Sequence, residues 1–364
     1  MISGKAAAEL IAEELEHRIL TGNVKTGEYL SSVRGISREF GCAPVTAHRA
    51  LKQLVEKGLA VAEPRHGYRV SGPKGSGTLR ETVAFLEITE GYESHIGDIY
   101  DTQLSVLRRA SSSRGWASIV LPYQGQSVAQ IREQLREMSA TALILQDVGY
   151  TFPESLRAGL GRLSMPTVSL DLGCVAPGVD LVMRDESHGA GLATDYLVAK
   201  GYRRIGWYGP LRTTPNARRR YAGAAEVLLR EDISVDALGW AEVQRADEVE
   251  RAIEYLSRSD RPHAVLALWQ TAAKALAAAA RELGLRLGSD LEVVGWSLDE
   301  GYARGYSAEF PELRERCATV TWSMTDVGET LLNRIAERRR STELPDARVM
   351  LPMRLREPST LAAP

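Results

Sequence analysis

The sequence predicts a two-part chain: a small helical unit carrying a β-hairpin, then a larger α/β body of two lobes. Three observations predict it. Helical periodicity appears three times in the first seventy residues and gives way to two short strand-like runs. A Gly/Ser-rich stretch at 71–78 then breaks all periodicity, the composition of a flexible tether. Beyond it, short apolar runs alternate with helical segments, the pattern that builds parallel doubly wound sheets.

Each element follows from local signals. Ile11, Leu15 and Ile19 stand at four-residue steps, and Thr21-Gly22 stops that first helix. A turn through Lys25-Thr26-Gly27 leads to Ser31-Ser32, which can cap a second helix with Val33, Ile36 and Phe40 on its apolar face. Gly41 ends it. Pro44 suits the first turn of a third helix, which buries Ala47, Ala50, Leu51 and Leu54 and closes at Lys57-Gly58. The short turn between the second and third makes a helix-turn-helix. Runs at 59–63 and 68–71, joined at Pro64-Arg65-His66-Gly67, make a hairpin with a basic tip suited to a wing. Domains are therefore expected at 1–71 and 81–364, with a linker at 72–80 that holds no helix. In the body, strands are expected at 82–88, 117–122, 141–146, 167–170, 204–208, 264–269 and 291–296. Some 285 residues is long for one sheet, so two stacked lobes with a cleft between them are expected.

Composition excludes several classes of protein. Of 364 residues 44% are hydrophobic and 25% charged, near the globular average, and no apolar run approaches the roughly 20 residues of a membrane span. Acidic residues interrupt the N-terminal stretch, which is unlike a secretory signal, so a cytoplasmic protein without membrane partners is expected. Cys42, Cys174 and Cys317 form no C-x-x-C pair, so neither a disulfide framework nor a metal site is expected. The net charge of −2 hides a local excess. Between Ser31 and Lys74 eight Lys/Arg face three acids, a net of +5, the footprint expected of phosphate contact.

On the third helix, Val45, His48, Arg49 and Lys52 lie opposite the core-facing positions. In a helix-turn-helix this N-terminal half enters the major groove, where Val45 can meet a thymine methyl and Arg49 a phosphate or guanine. The stretch from Ile11 to Val70 resembles the winged helix-turn-helix of the GntR family. The matching residues are Ile19-Leu20-x-Gly22, Lys25-x-Gly27-x-x-Leu30-x-Ser32-Val33-Arg34, Phe40-Gly41, Thr46-x-x-Arg49-Ala50-Leu51-x-x-Leu54-x-x-x-Gly58-Leu59 and Gly67-x-x-Val70. The resemblance implies contacts with double-stranded operator DNA from Ser32, Arg34, Pro44, Val45, Thr46, His48 and Arg49, and from Arg65, His66 and Gly67 of the wing. Pro44 and His48 stand where the family has arginine, Ala43 where it has serine and Ser31 where it has proline, so a different operator is expected.

From about Thr82 the chain resembles the effector domain of LacI/GalR-type repressors, which is similar to type I periplasmic sugar-binding proteins. The residues carrying this are Met183-Arg184-Asp185-Glu186, Gly191-x-Ala193-x-x-Tyr196-Leu197-x-x-x-Gly201-Tyr202-x-x-Ile205, Arg218-x-x-Tyr221-x-Gly223, Glu282-Leu283-Gly284 and Asp290-Leu291-x-Val293-Val294-Gly295. The combination resembles AraR-like regulators. It implies lobe one at about 81–184 and 300–340, and lobe two at about 185–299 and 341–364. Ligands of open α/β sheets bind outside the carboxyl ends of the strands. Those ends carry Arg184, Trp269-Gln270 and Trp296-Ser297, a mix of aromatic and polar groups suited to a sugar. The resemblance implies effector contacts at Asp171, Arg218, Trp240, Trp269 and Ser297, with Arg218 foremost among three consecutive arginines. Arg184, Arg212 and Arg218 together suggest an acidic or oligomeric sugar.

Lysines beyond the linker are confined to Lys200 and Lys274, and no Ser-His-Asp, H-E-x-x-H, Walker or G-x-G-x-x-G pattern occurs. An enzyme, or a cofactor, is therefore not expected. The sequence reads as a homodimeric, effector-controlled transcription regulator, expected to be a repressor, with a sensor of non-sugar metabolites or an enzyme on an α/β scaffold as the alternatives.

Overall fold

The computed structural model describes the chain except for residues 1–7, 9–10, 13, 16–17, 20–23, 25–26, 57–58, 64–65, 71–80, 89–96, 147–151, 171–175, 210–214, 236–237, 242–247, 303–309, 342–343 and 359–364. The linker at 72–80, and with it the expectation that no helix forms there, lies outside the described residues. The chain divides between Glu81 and Thr82 into two compact units, the first taking in also 112–117.

In the first unit, helix α1 (helical at 8, 11, 12, 14, 15, 18 and 19) precedes α2 (Val33–Glu39) and α3 (Pro44–Glu56). Ser32 caps α2, its hydroxyl accepting from the Gly35 amide at 3.1 Å. Gly41 turns the chain with φ +59°. The hairpin pairs β1 (Ala60–Glu63) with β2 (Gly67–Val70) in the register Ala60↔Val70 to Glu63↔Gly67. Ile11, Ala12, Leu15, Ile36, Ala47, Ala50, Leu51, Leu54 and Val70 share one core. The apolar stripe expected for α3 is the one observed, each of its four members at 0% exposure.

The second unit holds two six-stranded sheets. The first has the order β13-β7-β6-β5-β3-β4, from β3 (Thr82–Ile88), β4 (Ala117–Tyr123), β5 (Ala142–Gln146), β6 (Thr167–Leu170), β7 (Asp180–Arg184) and β13 (Arg348–Leu351). Helices α4 (Gly97–Ser113), α5 (Val128–Glu137) and α6 (Glu154–Leu160) follow β3, β4 and β5 of this lobe in turn. The second sheet has the order β14-β12-β11-β10-β8-β9, from β8 (Ile205–Tyr208), β9 (Leu238–Ala241), β10 (Ala264–Ala267), β11 (Glu292–Leu298), β12 (Ala318–Trp322) and β14 (Arg354–Arg356). Between and beside its strands run α7 (Glu186–Ala199), α8 (Pro215–Arg230), α9 (Val249–Leu256), α10 (Gln270–Glu282), α11 (Asp299–Gly301) and α12 (Pro311–Arg316). All seven expected body strands form.

The topology corrects the expected lobe division. Residues 318–322 pair with β11 in the second sheet, and 348–351 pair with β7 in the first. The chain enters the second lobe after β7, returns after β12 through α13 (Met324–Arg340), which packs on β6 and β7, and crosses again before β14. One buried carboxylate secures the return. Asp180 accepts from Arg334 Nε at 2.7 Å, from Arg338 Nη2 at 2.7 Å and from the Ala347 amide at 2.7 Å, tying α13 and the approach to β13 to the start of β7.

Candidate DNA-binding face and effector cleft

The outward side of α3 carries exposed Val45, His48, Arg49 and Lys52, with Pro44 exposed at its first position. Arg34 is exposed on the first turn of α2. Thr46, expected at the DNA, turns inward and is 7% exposed, because position 46 neighbours the core stripe at 47 and 50. The Ser32 hydroxyl is committed to its cap. His66 and Gly67 are exposed at the hairpin tip, where Gly67 adopts φ +104°, a conformation that favours glycine. Arg65 lies outside the described residues.

The wing is braced from its own side. Residues 27–30 run beside β2, with the Leu30 amide donating to Tyr68 O and the Val70 amide to Glu28 O, each at 2.8 Å. Tyr29 Oη donates to Glu63 Oε2 at 2.6 Å, and Arg69 Nε donates to Glu63 Oε1 at 2.6 Å. These two bonds hold the Glu63 carboxyl below the usual carboxylate range, so the acid nearest the tip stays ionised and neutralised by Arg69. The His48 and Tyr68 rings meet edge to face at 6.5 Å, linking α3 to the hairpin.

In the body, a charged cluster forms where the lobes exchange chain. Arg220 is 0% exposed, its guanidinium 4.5 Å from the Trp269 ring and 4.7 Å from the Trp296 ring. Its Nε donates to Glu186 Oε2 at 2.6 Å, and its Nη1 donates to the Leu268 carbonyl. Arg184 sits 4.3 Å over the Trp322 ring and 3.3 Å from Glu186 Oε1. Burial alone would push the Glu186 carboxyl up, but Arg220 and Arg184 hold it below the ordinary range. Two cations thus share one fully buried carboxylate, an arrangement stable only while both partners remain.

Of the expected effector residues, the structure brings Arg184, Trp269 and Trp296 into this cluster. Gln270 is buried at the first position of α10, and Ser297 is fully buried in β11 with its hydroxyl donating to Leu298 O at 3.3 Å. Asp171 and Arg212 lie outside the described residues, as does the Trp240 side chain on β9. Arg218, foremost of the expected contacts, is exposed on α8 and stands outside this cluster, whose arginine is Arg220 two positions on. The signal was in the sequence. Ala217, Gly223-Ala224 and Val227-Leu228 form the buried stripe of α8, and 220 falls on that stripe while 218 falls off it. Of the arginines behind the acidic-sugar expectation, Arg184 is in the cluster, Arg218 is exposed on α8 and Arg212 lies outside the described residues. Glu186, the residue joining both arginines, was missed because it reads as an ordinary acid in the first turn of a helix.

The chain thus carries a winged helix-turn-helix with an outward cationic helix and a two-sheet α/β body with a charged cluster at its lobe crossings. The comparisons agree part by part: residues 7–70 match the gntR family of bacterial regulatory proteins, and residues 194–360 match the periplasmic binding protein-like domain. Among curated proteins, the chain is 29% identical over 178 residues to the HTH-type transcriptional repressor PurR of Mannheimia succiniciproducens, covering 48% of this chain and 50% of that protein. It is 22% identical to PurR of Vibrio vulnificus, covering 70% and 73%. The chain thus spans about half the length of the first of these relatives. Among solved structures, a LacI family regulator from Enterococcus faecium with bound ribose is similar at TM-score 0.61 and 18% identity, covering 76% of this chain and 97% of that one. A CelR–cellobiose complex is similar at TM-score 0.59 and 19% identity, covering 88% and 94%. Among the described residues, no helix is long and apolar enough to cross a membrane.

Proposed function

We propose that this chain is a DNA-binding transcription repressor, acting as a homodimer, whose operator affinity is set by a sugar or sugar derivative held between the two lobes. The observation that carries this reading is the joint presence in one chain of the outward cationic face of α3 and the Arg184–Glu186–Arg220 cluster at the lobe crossings. The N-terminal half of α3 reads the major groove while Arg34 and the wing residues Arg65, His66 and Gly67 approach the backbone. In the body, Arg184 ends β7 and Trp322 ends β12, the last strand residues before two of the three crossings. Glu186 connects that hinge to Arg220 and its tryptophans. A ligand engaging Trp269, which stacks on Arg220, therefore acts on the groups that set the lobe angle, and in a dimer that angle sets the spacing of the two heads over their half-sites. Ligand names in the solved relatives, ribose and cellobiose, support a sugar.

The test is thermal unfolding of the full chain against sugars, sugar acids and nucleobases, paired with binding to DNA selected from a random library. One ligand class is expected to raise the unfolding temperature and change DNA affinity, with the effect lost in Trp269→Ala and kept in Arg218→Ala. A chain that enriches no DNA sequence, or whose DNA affinity no stabilising ligand changes, overturns the reading.

A further inference from the structure

Among the described residues of the head, Val45 is the large aliphatic side chain left exposed. The other exposed large hydrophobic there is Tyr29, and its hydroxyl is held by Glu63. Val45 is 58% exposed in the first turn of α3, on a face otherwise made of His48, Arg49 and Lys52. Pro44 before it fixes the entry to the helix, and Thr46 after it is turned into the core, so the first turn of α3 presents Val45 outward in Thr46's place. A β-branched side chain in a helix is stiff about χ1 and loses little freedom on docking. It offers no hydrogen bond. In the major groove, the apolar feature available to such a group is the C5-methyl of thymine.

We propose that Val45 is a specificity-determining residue that packs on a thymine 5-methyl group in each operator half-site. The inference rests on the DNA-binding reading above and goes further in naming the base and the atom read. Val45 buries its exposed isopropyl group against that methyl, while Arg34, Arg49 and the wing supply the sequence-independent attraction to phosphate. Specificity at this base pair is then carried by apolar contact, with no donor or acceptor from the protein.

The experiment uses the full chain and an operator selected from random double-stranded DNA. Each thymine is replaced in turn by deoxyuridine, which deletes the methyl and keeps the base pair, and affinity is measured by fluorescence anisotropy at fixed salt. One position per half-site is expected at which deoxyuridine weakens binding on the order of four-fold, the worth of one buried methyl group. Val45→Ala is expected to bind the thymine operator correspondingly more weakly and to be indifferent to deoxyuridine at that position. Val45→Ala changes an exposed residue, and its binding to random DNA reports that the head is folded. Silence of every deoxyuridine substitution, or an undiminished deoxyuridine effect in Val45→Ala, overturns the assignment alone. Failure to enrich any operator overturns the DNA-binding reading and takes the assignment with it.

Discussion

At the scale of single residues, the centre of the body is Glu186, fully buried between two arginines. Its cost of desolvation is met by Arg220 at 2.6 Å and Arg184 at 3.3 Å, and neither arginine keeps its full set of partners if the carboxylate goes. Removing one member of such a buried pair typically costs about 3–5 kcal/mol, because the survivor stays desolvated with its charge. Arg220→Met is therefore expected to lower stability by about that amount in urea titration, whereas Arg218→Ala, at an exposed position of the same helix, stays within about 0.5 kcal/mol. The double variant Arg220→Met/Glu186→Gln is expected to recover part of the loss. Recovery distinguishes an uncompensated charge from a packing defect, and a double variant worse than the sum of the singles contradicts the charge explanation.

At the scale of elements, α7 and α8 pack so closely that a Cβ added to Gly223 would lie 2.0 Å from the Ser187 carbonyl oxygen. That contact sets α7, which begins with Glu186, against α8, which carries Arg220, and Ser187 Oγ reinforces it by donating to the Arg219 carbonyl at 3.0 Å. Gly223→Ala must push the helices apart, an overpacking typically worth about 1–3 kcal/mol. It should lower the unfolding temperature and weaken effector binding together, whereas Gly191→Ala, whose Cβ would meet nothing nearer than 3.7 Å, should do neither. The elements legible in the sequence were those with continuous signals. The seven body strands announced themselves as apolar runs, and α3 by a stripe at 47, 50, 51 and 54. Strands β13 and β14 alternate exposed and half-buried residues at sheet edges, and the three apolar residues of β13 follow Arg348 as those of β7 stand between Asp180 and Arg184, charges that mask both short runs. The lobe assignment failed at β12 and β13 for a related reason: which sheet a strand joins is decided by long-range pairing, which local periodicity does not encode. In the charged cluster, residue types at strand ends were legible, whereas placing Arg220 there needed the helix stripe to be applied to a charged residue.

At the scale of the whole molecule, two buried carboxylates in the first lobe give stability opposite dependences on pH. Asp180, despite burial, is held below the ordinary aspartate range by Arg338, Arg334 and the Ala347 amide. A group whose folded pKa is depressed contributes stability above its unfolded pKa and loses it as pH falls through the folded value, so Asp180 steepens acid unfolding below about pH 4. Glu87 does the reverse. It is 5% exposed near the end of β3, its Oε2 has no hydrogen-bond partner, and burial, partly offset by Arg108, pushes its carboxyl up to about 7. Between its unfolded value of 4.5 and about 7 the unfolded chain releases this proton first, so stability falls as pH rises through that window and the penalty is complete above it. Such a shift corresponds to on the order of 3 kcal/mol. Glu87→Gln keeps the shape and removes the charge, so it is expected to stabilise the chain at pH 8 and to lose most of that advantage by pH 5. Asp180→Asn is expected to destabilise most at pH 7 and above, with the deficit narrowing toward pH 3. Urea midpoints for the parent and both variants at pH 3, 5, 7 and 8 decide the matter. A Glu87→Gln difference that does not change with pH would mean that the carboxyl titrates alike in the folded and unfolded chain, its ionised form partnered in both, and would remove Glu87 as a source of the alkaline loss.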